Sequence, residues 1–196
     1  MSQKTIHICM LGSGGVGKTA ITLQFVRNEF SETYVPTIED EFQKNISIDD
    51  ETVVCEIVDA AGQEDFKELR SRYIQECEGF AVVYAVDDES SLNFISEVYD
   101  DIVRVKNTQK PPIVILGNKC DLPAPHAVPL EKAKAKSASS WNNAEVLETS
   151  AKQNKNTTLS FEKICRLVLN KNAPAAKEGK KKEEEKGSSD GCCEIQ

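Results

Sequence analysis

Gly12-Ser13-Gly14-Gly15-Val16-Gly17-Lys18-Thr19 follows the spacing G-x-x-x-x-G-K-[ST], a combination suited to gripping a polyphosphate. Glycines let the backbone fold close around phosphate oxygens, while successive N–H groups and a helix N-terminus face the anion. Lys18 adds a point charge for the β- and γ-phosphates, and the Thr19 hydroxyl can ligate Mg²⁺. This chemistry needs a strand before the loop and a helix after it. KTIHICML (4–11) reads as a short buried strand, and Ile21, Phe25 and Val26 recur at helical spacing between Lys18 and about Arg27.

Three further segments carry polar residues with the same relation to strands. Val58-Asp59-Ala60-Ala61-Gly62-Gln63-Glu64 puts an aspartate where it can hold Mg²⁺ through water, and a Gly62 N–H where it can reach a terminal phosphate. Asn118-Lys119-Cys120-Asp121 and Ser150-Ala151-Lys152 each follow a predicted strand. Ligands of open α/β sheets bind at such strand ends.

The elements that must position these segments alternate along the chain. Residues 31–41 read as a polar loop around Pro36; Phe42–Ile48 and Thr52–Val58 read as an antiparallel pair joined by Asp49-Asp50-Glu51. Helices are predicted near 65–75, 91–105 and 129–141, and strands at 79–87, 111–118 and 145–149. A last helix from about Thr157 places Phe161, Ile164, Cys165 and Val168 on one face. The alternation predicts an α/β domain with a mostly parallel sheet flanked by helices.

Composition narrows the function. With 196 residues and 39% hydrophobic content, the chain suits one domain with a real core, plus a tail. A net charge of −8 argues against nucleic acid as the main partner. Cys9, Cys55, Cys77, Cys120 and Cys165 are scattered through apolar segments without metal-ligand spacing, and read as reduced thiols of an intracellular protein. The first apolar run, near Ile6, is too short for a signal peptide, and no stretch approaches the ~20 apolar residues of a membrane span.

In order and separation, the phosphate loop, DAAGQE, NKCD and SAK resemble the nucleotide-binding motifs of the Ras-like small GTPases, and YVPTIEDEF (34–42) is similar to the effector loop of the Ras/Rap branch. The resemblance covers residues 4–172. It implies a P-loop NTPase fold, the small G domain, with a six-stranded, mostly parallel sheet. It also implies a GTP-binding switch that hydrolyses GTP slowly with Mg²⁺ and signals by shape.

The site residues it implies are as follows. Gly14, Gly15, Val16, Gly17, Lys18, Thr19 and Ala20 form the phosphate loop and the start of its helix; Phe30, Asn118, Lys119, Asp121 and Ala151 serve the base, and Tyr34, Pro36, Leu122, Ser150 and Lys152 complete the nucleotide-binding set. Asp121 would accept from N1–H and the 2-amino group of guanine, a pairing adenine cannot offer; sites of this kind discriminate by roughly 10⁴–10⁵. Thr19, Thr37 and Asp59 would serve the metal, and Gln63 would orient the attacking water, with Lys18 and Gly62 completing the catalytic set. Val35, Ile38, Glu39, Asp40, Glu41 and Phe42 join Tyr34, Pro36 and Thr37 in the effector segment. Thr37 and Gly62 would lose their contacts with the γ-phosphate, letting both loops relax. Residues 31–42 hold no arginine, so an activating partner is expected to insert one, Gly14 leaving it room. Exchange factors and Ras-type effectors are the other implied partners. Ala60 stands where the family usually has threonine, and His7 and His126 read as structural.

From Ala173 the composition changes to a low-complexity tail, expected to be disordered. Cys193-Glu194-Ile195-Gln196 fits a prenylation box, with terminal Gln favouring farnesyl. Residues 173–190 hold five lysines and five acids, so Cys192 is the better second anchor, through palmitoylation. The expected location is the cytoplasmic face of the plasma membrane or an endomembrane. A small-molecule kinase would need an acceptor pocket and basic lid that no segment supplies. A nucleotide-locked adaptor is disfavoured by Gln63, Gly14 and Thr37, and a Rab-type protein by TIED and the terminal box.

Overall fold

Alternating apolar patterns become a six-stranded sheet between two helical layers. The computed structural model describes residues 4–33, 35, 37, 39–49, 51–60 and 67–172, with only the backbone of residues 67, 171 and 172. The elements are β1 (Lys4–Leu11), α1 (Lys18–Arg27), β2 (Glu39–Ile48), β3 (Glu51–Ala60), α2 (Lys67–Glu76), β4 (Gly79–Ala85), α3 (Glu89–Lys106), β5 (Ile113–Asn118), α4 (Leu130–Ser140), β6 (Glu145–Glu148) and α5 (Thr157–Asn172). The strand order is β2-β3-β1-β4-β5-β6, parallel except for the antiparallel β2–β3 pair. The fold is thus the mostly parallel α/β domain that the alternation predicts.

Successive strand residues face opposite sides, so β1 feeds two cores. Ile6, Ile8 and Met10 join Phe25 of α1 and Phe161, Ile164, Cys165 and Val168 of α5, the face expected of the last helix. Cys9 and Leu11 join Phe80, Val82 and Tyr84 of β4, Leu92, Ile95 and Val98 of α3, and Trp141. Every residue of β4 and β5 is buried, as in a parallel sheet covered on both faces. Cys9, Cys55, Cys77 and Cys165 are free and buried, and Cys120 is free and half-buried. Among the described residues no helix is long and apolar enough to cross a membrane.

Boundaries moved where pairing or capping outweighed local composition. The acidic stretch Glu39–Glu41, expected as loop, is strand, because β3 runs on to Ala60 and pairs Glu39 with Ala60, Asp40 with Asp59 and Glu41 with Val58. α3 starts two residues early, since the Asp88 carboxylate caps it by accepting from the Ser90 N–H at 2.9 Å. β4 stops at Ala85, short of Asp87, and β5 begins only after Pro111 and Pro112. The tail from 173, including Cys192 and Cys193, lies outside the described residues.

Candidate functional site

The phosphate loop leaves β1 and enters α1 with a backbone that glycine permits. Gly12 has φ +138°, and an added Cβ would lie 2.2 Å from the Val83 carbonyl oxygen, so nothing larger lets the loop cross β4. Gly17, at φ +94°, is the N-cap of α1, and a Cβ there would meet the Asn118 amide at 2.3 Å. Among the described residues, no atom lies within 4 Å of such a Cβ on Gly14 or Gly15.

Lys18 reaches back over the loop, donating from Nζ to the Gly12 carbonyl at 3.0 Å and the Ser13 carbonyl at 2.9 Å. Burial pulls its pKa down to about 8, against the attraction of Asp59. The Thr19 and Thr37 hydroxyls meet at 2.7 Å, which brings the loop ahead of β2 onto α1. Asp59, at the end of β3, is fully buried, and among the described residues neither carboxylate oxygen has a partner in full hydrogen-bond geometry, the Thr19 hydroxyl lying nearby. Burial drives its pKa up to about 6, opposed by the Thr19 hydroxyl and the Lys18 ammonium. An orphaned buried carboxylate beside two hydroxyls is an all-oxygen donor set of the kind that suits Mg²⁺ completed by phosphate oxygens and water. The residues present fit that ion.

Asn118 ties three segments together: its Nδ2 donates to the Val16 carbonyl at 2.9 Å, and its Oδ1 accepts from the Thr149 hydroxyl at 3.4 Å and the Ala151 N–H at 3.3 Å. Lys119, at φ +66°, pairs with Asp87 at 3.3 Å. Asp121 accepts from the Ser150 hydroxyl at 2.6 Å, and that oxygen accepts from the Gln153 N–H at 3.0 Å. A groove of about 510 Å³ runs from Gly14, Gly15, Gly17, Lys18, Thr19 and Ala20 past Thr37 and Ala60 to Phe30 and Lys119. Phe30 and Leu122 are partly exposed, at 39% and 37%. Asp121, Leu122, Ser150, Ala151 and Lys152 do not wall the groove. Val35 is 71% exposed, and Glu39, Asp40 and Glu41 face solvent on the edge strand, with Phe42 half-buried. Tyr34, Pro36, Ile38, Gly62 and Gln63 lie outside the described residues.

Sequence reading missed two ion pairs that border the site. Glu32 and Lys152 meet at 2.7 Å across 120 positions of chain, and Asp87 serves Lys119. Asp87 had a usable signal, an acid two residues past the buried strand β4; Glu32 had none. Against the family models, residues 7–170 match that of the Ras family.

Proposed function

The chain belongs to the Ras family, and from that premise we propose a membrane-anchored Ras/Rap-branch switch that hydrolyses GTP slowly and signals through residues 34–42 while GTP is bound. A GTP-binding domain is what the family supplies in general; the finer reading rests on the site. One observation carries most of it. Asp59 is buried without a partner beside the Thr19–Thr37 hydroxyl pair, while Lys18 caps the phosphate loop. An unpaired buried carboxylate is costly unless a ligand compensates it.

In this reading the loop amides bind the β- and γ-phosphates, and Lys18 turns its ammonium from the Gly12 and Ser13 carbonyls toward them. Thr19, Thr37 and Asp59 would hold Mg²⁺, which when bound neutralises charge developing on the phosphate oxygens. Gln63 orients water, and the Gly62 N–H senses the γ-phosphate. Asp121 selects guanine, held in place meanwhile by Ser150. An activating protein inserts an arginine beside Gly14, where a Cβ finds open space. Exchange factors and effectors complete the cycle, and lipid at Cys193, with Cys192 as second anchor, holds the protein on a cytoplasmic membrane face.

The test is to denature the purified protein, identify what it releases, and follow single-turnover phosphate release from the Mg·GTP form. Guanine nucleotide and slow release are expected. An empty protein with no preference for GTP over ATP would overturn the assignment; rapid release without any partner would overturn the slow-switch reading.

A further inference from the structure

β3 and α5 each turn a cysteine into the same core. Alternation along β3 sends Val53, Cys55 and Ile57 to the face covered by α1 and α5, and the apolar stripe of α5 puts Cys165 there beside Ile164 and Val168. The two residues are 110 positions apart in the chain, yet their sulfurs lie 3.3 Å apart and both side chains are fully buried. Neither is in a disulfide. Cys55 is held on both sides by the sheet, opposite Ile6 of β1 and Lys44 of β2, and Cys165 sits well inside a helix of 16 residues. The meeting is therefore fixed by rigid elements rather than by loops.

A cysteine that serves only as a small apolar filler needs no second sulfur beside it. Here the two thiols are also made unequal. A hydrogen bond from Cys165 holds the Cys55 thiol below its usual range, against the effect of burial. The same hydrogen bond, followed by burial, pushes the Cys165 thiol up. The thiolate is the form that attacks, so Cys55 is the first to react and Cys165 stands in contact to follow it. A disulfide holds its sulfurs about 2.0 Å apart, so the pair closes by roughly 1.3 Å to make one.

We propose that Cys55 and Cys165 are an oxidation site of the folded chain, where a hydroperoxide converts the two thiols into a disulfide that ties α5 to β3 and stabilises the domain. In the first step the Cys55 sulfur, having lost its proton, attacks one oxygen of the peroxide. An S–O bond forms, the O–O bond breaks, and the departing hydroxide takes up that proton as water. In the second step the Cys165 sulfur attacks the Cys55 sulfur. The S–S bond forms, the S–O bond breaks, and hydroxide leaves with the Cys165 proton as a second water. Two thiols are oxidised and one peroxide is reduced. Burial of both sulfurs means that the oxidant reaches them through local opening of α5, not by direct collision with the closed core. The new bond closes a loop of 110 positions, which restricts chiefly the unfolded chain. For a domain of this size the gain corresponds to a rise in Tm on the order of 10 °C. The site stands apart from the nucleotide reading and does not rest on it.

The experiment uses the full chain, purified with reductant, freed of it and exposed to hydrogen peroxide. The sample is quenched in acid, unfolded, alkylated, digested and mapped by mass spectrometry. The peptides holding Cys55 and Cys165 are expected to be joined, with Tm raised on the order of 10 °C and both changes undone by dithiothreitol. Cys55→Ala and Cys165→Ala should each abolish the rise in Tm, and the mapping of the wild-type chain decides the matter even if a variant folds poorly. Two thiols that stay open to alkylation after peroxide would overturn the proposal. So would sulfinic acid at either residue without a link, a bond between Cys9 and Cys77 in place of this one, or a rise in Tm that survives Cys55→Ala. A link that leaves Tm unmoved would overturn its stabilising role.

Discussion

Asp59 and Lys18 show how single residues of the site are held against their own preferences. Both are buried, one as an acid raised to about 6 and the other as a base lowered to about 8, each mainly by burial. For Asp59 the sign is definite. Its folded pKa lies above the ordinary carboxyl value of 3.8, so the stabilising neutral form is complete below about pH 4 and is lost as pH rises through about 6. Stripped of nucleotide and metal, Asp59→Asn is expected to be more stable than the parent at pH 7 by about 1–3 kcal/mol, with the gap closing near pH 4. Urea denaturation in chelator across that range measures it, and an Asn variant less stable at pH 7 would contradict the account. If Asp59 serves Mg²⁺ as proposed, the order should reverse with Mg²⁺ and GDP. The acid itself was legible because it ends an apolar strand. Its lack of a partner was not, since burial of both oxygens depends on how β3, α1 and the loop holding Thr37 converge. The Glu32–Lys152 pair was illegible for the same reason: local spacing carries no information about loops that meet only in three dimensions.

Among the elements, β2 was the hardest to read and shows why. Its first residues, Glu39-Asp40-Glu41, are acidic and exposed, and β propensity alone disfavours them. The ladder to β3 decides the matter, and the strand's inward residues Ile46 and Ile48 supply the burial. Helices and inner strands were legible to within a few residues because both faces of β4 and β5 are apolar and α5 shows a continuous stripe. Being an edge strand, β2 needs further attachment, and α1 provides it. Lys44 donates its ammonium to the Phe25 carbonyl and lies 4.5 Å from the centre of the Phe25 ring, while Arg27 sits 5.6 Å from the centre of the Phe42 ring. Phe25 in turn stacks on Phe161 of α5 at 4.0 Å. Lys44→Ala should therefore cost about 1–2 kcal/mol, combining a charged hydrogen bond with a cation–π contact. Urea denaturation gives the magnitude. Amide exchange should rise in β2 ahead of β1, and a loss confined to other strands would show that α1 does not hold this edge.

For the whole molecule, the same asymmetry separates scaffold from site. Two apolar cores, one on each face of the sheet, hold the strands from within. The described parts of the four polar segments lie where β1, β3, β5 and β6 end, and there the protein keeps a buried cation, an orphaned carboxylate and an open groove. That division made the fold and the meeting place of the motifs legible from strand–helix alternation, while the groove's depth and far wall required the fold itself. It also fixes how stability must respond to ligand. A compound that binds only the folded state at a hundred times its dissociation constant adds about 2.7 kcal/mol. For a domain of this size each kcal/mol raises Tm by roughly 2–4 °C. Mg·GDP added to the stripped protein should thus raise Tm by about 5–10 °C, whereas Mg·ADP at the same concentration should leave it unmoved, because adenine would strand the Asp121 carboxylate. Equal shifts with both nucleotides would show that the phosphate loop binds and the base is not read. A shift with GDP that survives Asp121→Asn unchanged would show that the discrimination lies elsewhere in the base pocket.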